Sequence, residues 1–87
     1  MSKIFPIPII PKHQYDAFRR ELGPDLSDTY DQWLEFVRQH RSERLRQGET
    51  ILDVEVDLDE FTRFCATNGT KPNLKSLLDF AIEKAPL

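Results

Sequence analysis

Two charged stretches carry most of the chemistry this sequence could perform. In ILDVEVDL (51–58), Asp53, Glu55 and Asp57 alternate with Leu52, Val54, Val56 and Leu58, the period-two pattern of a strand with one apolar and one polar face. Residues 51–60 hold five acids and no base. A row of carboxylates on one strand face suits contact with a protein surface of basic or mixed charge. The second stretch is RQHRSERLR, where Arg38, Arg41 and Arg44 stand three apart on one helical face, with His40 and Arg46 nearby. A guanidinium makes paired bonds to phosphate or carboxylate. The cluster is therefore either a docking site for such groups or a solvated helix end whose charge complements the macrodipole. It could equally meet the acids at 53–60, in the same chain or another copy, and so order an exposed tail.

Nothing else points to catalysis. Cys65, the single thiol, neighbours Phe61 and Phe64 on a helical wheel and reads as a small buried hydrophobe. His13 and His40 lack the i, i+4 partners or paired cysteines of a zinc site. No glycine-rich phosphate loop or nucleophile elbow occurs. The expectation is a non-enzymatic protein without cofactor or metal.

The elements that would position these residues must fit in 87 residues and 10.2 kDa, one domain spanning 1–87. Twelve basic side chains against fifteen acidic ones give a net charge of −3, so no global field draws nucleic acid or anionic lipid. No apolar run reaches the roughly 18 residues that span a bilayer, and IFPIPII is too short and too interrupted by proline for a secretory segment. A lone cysteine forms no internal disulfide, which suits a reducing cytoplasm.

The pattern predicts strand, helix, helix, strand, helix, helix. IFPIPII is apolar on both faces; Pro6 and Pro8 lack donors but lie two apart, so one edge can pair while the other stays bare. A helix opened by Pro11 would run through Tyr15, Phe18 and Leu22 to Gly23-Pro24. Ser27 or Asp28 would cap the next, with Tyr30, Trp33, Leu34 and Val37 as its stripe. Asp57 and Glu60 have capping-box spacing, flanked by Val56 and Phe61 as a hydrophobic staple. That third helix would stop at Asn68-Gly69. After Pro72, a fourth would bury Leu74, Leu77, Leu78, Ala81, Ile82 and Ala85. Phe36, with Phe5, Ile7 and Ile9, would form an exposed apolar patch. Tyr15, Phe18 and Gly23 share the spacing of Phe61, Phe64 and Gly69 at an offset of 46. The expected fold is thus α+β, strand-helix-helix repeated twice over about 1–48 and 49–87, mostly helical with a small two-stranded antiparallel ribbon.

A short strand, a helix ending at glycine, a tight turn and a second amphipathic helix form the unit of the ribbon-helix-helix family, which residues 51–87 resemble. The resemblance implies an antiparallel ribbon whose outward side chains enter the major groove of DNA, here Asp53, Glu55 and Asp57. It also implies a phosphate at the start of the second helix, near Lys71 and Lys75. Since DNA binding gains affinity by replacing condensed cations with basic side chains, three carboxylates favour a protein partner instead. The leading expectation is a protein-interaction or regulatory module whose contacts are Asp53, Glu55 and Asp57, with Arg38, Arg41 and Arg44. The alternative is a ribbon-helix-helix-like DNA-binding regulator or antitoxin resting on Arg38, Arg41, Arg44, Lys71 and Lys75. A duplicated chain would be a monomer; one unit per chain would give a homodimer.

Overall fold

The computed structural model describes residues 3–85. Strand β1 (Ile4–Ile9) leads through a 3-10 turn at Lys12–Gln14 into the short helix α1 (Tyr15–Leu22). A second 3-10 turn, Gly23–Asp25, precedes α2 (Tyr30–Arg46), which is followed by β2 (Thr50–Glu55), α3 (Leu58–Asn68) and α4 (Leu74–Lys84). The class is α+β and mostly helical. Among the described residues no helix is long and apolar enough to cross a membrane.

The strands pair in parallel, Ile4 opposite Thr50 and Ile9 opposite Glu55. This corrects the antiparallel ribbon expected from the sequence, and the reason lies in which helix returns the chain. α1 has 8 residues, about 12 Å of rise, whereas the 17 residues of α2 rise about 26 Å. α1 stays near the carboxyl ends of the strands, where Gln14 just before it meets Asp57. α2 makes the full journey back. It starts where the Tyr30 hydroxyl donates to the Ile10 carbonyl (2.9 Å) and ends where the Arg44 guanidinium lies 4.2 Å from the Phe5 ring centre. The chain therefore enters β2 from the same end as β1, the crossover that parallel pairing needs. The expected duplication gains no support. α4 has only 11 residues, and Gly23 (φ 63°, ψ −137°) and Gly69 (φ 63°, ψ 30°) turn the chain differently.

Pro6, Ile7 and Pro8 are buried in succession. Successive side chains point to opposite faces, so β1 is covered on both faces, as strands of parallel sheets usually are. α2 crosses the face of Phe5 and Asp53, while α4 packs chiefly against β1. The core gathers Ile7, Ile10, Tyr15, Phe18, Val56, Phe61 and Leu77 into one cluster. Phe18 stacks on Phe61 at 5.9 Å between ring centres. Cys65 is buried there, and burial pushes its thiol up from the ordinary cysteine range.

Several helical details differ from the sequence pattern. The cap of α2 is Thr29, not Ser27 or Asp28: its hydroxyl accepts from Gln32 N–H (3.1 Å) and the Gln32 side chain returns a bond to Thr29 N–H (3.3 Å). Leu34 is exposed, leaving Trp33 and Val37 as the buried positions. In α4 Phe80 turns inward and Ile82 outward, because the Phe80 ring packs between Phe61 (5.8 Å) and Phe64 (5.3 Å). Of the expected apolar patch only Phe36 is exposed; Ile7 is buried, and Phe5 lies beneath Arg44.

Candidate functional site

Thr50 N–H donates to the Lys3 carbonyl (2.7 Å) and Val56 N–H to the Ile9 carbonyl (3.1 Å). Backbone groups alternate in direction along a strand, so Thr50, Leu52, Val54 and Val56 face β1. Ile51, Asp53 and Glu55 face the other way, and their N–H and C=O groups have no hydrogen-bond partner among the described residues. On β1 the odd-numbered residues turn inward, so Pro6 and Pro8 lie along its outer edge. One edge of the sheet is thus closed by residues without donors, and the other is open.

An open cleft of about 670 Å³ borders the carboxyl half of β2. It is lined by five successive residues, Asp53 to Asp57. The cleft therefore touches Asp53, Val54 and Glu55 of β2 and the Val56–Asp57 link to α3. Its rim is completed by Pro11, His13, Gln14, Glu60 and Lys84, four carboxylates in all against one lysine.

The carboxylates have different occupations. Asp57 caps α3, accepting Glu60 N–H (3.2 Å) while Gln14 Nε2 donates to its other oxygen (2.9 Å). The Gln14 bond foremost, then the backbone bond, holds the Asp57 carboxyl below the usual range. Gln14 also accepts Leu58 N–H (3.0 Å), so one side chain fastens the turn after β1 to the start of α3. Glu60 completes no capping box; its carboxylate takes Lys84 Nζ at 2.8 Å instead. Asp53 reaches Arg41 at 2.6 Å. Glu55 is exposed and has no ionic or hydrogen-bond partner among the described residues.

The arginine stripe is internally paired. Arg38 meets Glu35 (2.5 Å), Arg41 meets Asp53, Arg44 meets Glu49 (3.2 Å) and Arg46 meets Glu43 (3.7 Å). The Arg41 pair is the intramolecular option left open by the sequence, and together with Arg44 it fastens the end of α2 over the sheet. Lys71 and Lys75 are exposed beside the start of α4. There, however, the Leu74 N–H that would face a phosphate already donates to Asp25 (2.9 Å). The candidate contact residues therefore divide: Asp53 and Glu55 share the open edge with Arg41 bound to Asp53, Asp57 borders the same cleft but serves the helix cap, and Arg38, Arg44, Lys71 and Lys75 lie elsewhere. Gln14 and Lys84 were not legible as neighbours of the acids, since their partners stand 43 and 24 positions away.

A second, smaller hollow of about 110 Å³ lies between α2, β1 and α4, with Phe5, Trp33, Phe36, His40 and Leu78 among its walls. No protein-family model, curated protein or solved structure matches the chain.

Proposed function

We propose that this chain is a small non-enzymatic interaction module that docks a protein partner on the acidic side of β2. The observation that carries this reading is the Glu55 carboxylate, unpaired among the described residues, beside Asp53 on an exposed strand. Opposed charge at such a surface speeds and orients an encounter more than it tightens it. On this reading Asp53 and Glu55 are the contact residues, Asp57 holds the helix that frames them, and Arg38, Arg41 and Arg44 are structural. The DNA-binding alternative would recruit those arginines with Lys71 and Lys75. It is disfavoured because each arginine already holds a carboxylate.

Affinity capture with the intact protein and with Glu55→Lys, followed by mass spectrometry, tests the first reading: specific partners should be lost with the variant. Retention of every partner would discard the acidic side. A duplex titration at two salt concentrations tests the second. Affinity that falls steeply with salt would revive it, and absence of binding at low salt would end it.

A further inference from the structure

We infer that the open edge of β2 receives an extended segment of a partner protein as a third strand, with lysine or arginine at alternate positions facing Asp53 and Glu55. The inference rests on the acidic side of β2 being the contact site, and it adds how the contact is made.

The argument begins with hydrogen bonding. Ile51, Asp53 and Glu55 present donors and acceptors at two-residue intervals, the complement of an added strand. Unpaired edges are ordinarily blunted by proline, a bulge or a covering element. The outer edge of β1 carries two prolines; the outer edge of β2 carries none. Its six residues are long enough for the short extended segments that such edges bind. Room is present as well, because the 670 Å³ cleft borders Asp53, Val54 and Glu55 of the strand.

Charge selects the occupant. If β2 paired antiparallel with β2 of a second copy, centring on Asp53 would set Asp53 against itself. Centring on Val54 would set Asp53 against Glu55. Like charges directly opposite destabilise such pairs, so the carboxylates that guard this edge from self-association also favour a basic strand. Positions directly across from Asp53 and Glu55 are two residues apart, which gives the basic, apolar, basic alternation. The intervening partner residue falls on the side of Leu52 and Val54, where an apolar side chain extends existing packing. Asp53 keeps its bond to Arg41, so Glu55 supplies most of the selectivity.

The test uses the intact isotope-labelled protein and a capped octapeptide of alternating lysine and valine. Binding at low salt should slow amide exchange at Asp53 and Glu55 at least about tenfold. Methylating the peptide amides on the pairing edge should weaken affinity at least about tenfold, and Glu55→Lys should do the same. Equal binding by the methylated peptide would overturn strand addition while leaving an acidic docking side intact. Equal binding by Glu55→Lys and by Glu55→Gln would instead overturn the acidic reading itself. Failure of the peptide to bind at low salt would overturn the inference. So would a concentration-dependent dimer that protects the same amides, since the occupant would then be a second copy.

Discussion

β1 and β2 have equal length and lie side by side, yet almost every property of their outer edges is opposed. β1 has Pro6, Ile7 and Pro8 buried in a row and an outer edge where Pro6 and Pro8 offer no donor. β2 exposes Thr50, Asp53 and Glu55 and leaves its outer backbone groups unmatched. A two-stranded sheet has two edges to protect. Here one is closed by covalent structure, and the other is guarded only by charge. On the inference drawn above, such charge would repel a second copy and admit its complement. On the proposed function, stability falls to one strand and recognition to its neighbour.

The sharpest way to break that division is at a register pair. Ile7 and Asp53 stand opposite one another, but Ile7 is 3% exposed while the Asp53 side chain is 52% exposed. Ile7→Ala should cost about 2–5 kcal/mol through lost burial and a cavity, a large share of the roughly 5–15 kcal/mol of a typical domain. Denaturant unfolding measures it, and a loss below that of Asp53→Ala would reverse the assignment. Arg41→Ala comes next. It removes a half-exposed ion pair between α2 and β2, and should cost no more than about 1 kcal/mol, with the cost shrinking at high salt.

A smaller effect lies in the pH dependence of the α3 cap. The folded state holds the Asp57 carboxyl below its unfolded value of about 4. Its contribution is therefore complete above that value and fades as pH falls through the lower folded one. Asp57→Asn keeps a capping oxygen but does not titrate, so its stability curve should be flatter on the acid side. Unfolding midpoints taken at stepped pH would show this; a parallel curve would remove the cap from the account. Smallest of all, Glu55→Gln should change stability by no more than about 0.5 kcal/mol while altering partner capture. A larger loss would make Glu55 a structural residue.

Much of this contrast was legible in the residues themselves. The two-residue spacing of Pro6 and Pro8 allows one paired edge and one bare edge in either strand direction. The alternation of 52–56 identifies a strand, and Asp57 is the α3 cap. Strand direction was not legible, because helix spacing does not reveal that α1 stays at one end of the sheet while α2 alone spans it. The arginines showed the same limit. Their periodicity gave a common face, but pairing Arg41 with Asp53 depends on α2 lying across β2. Asp57 and Glu60 looked like a reciprocal capping box; Lys84, arriving from α4, took the glutamate away. The α4 stripe read from spacing does not include Phe80, because its neighbours Phe61 and Phe64 come from another helix.

Amide hydrogen exchange on the free protein, resolved residue by residue along β2, tests the central claim most directly. Slow exchange at Leu52, Val54 and Val56 with fast exchange at Ile51, Asp53 and Glu55 is the outcome an unsealed outer edge requires. Comparable protection at both sets in a dilute monomer would mean that the edge is already covered, and the division between the two strands would fall.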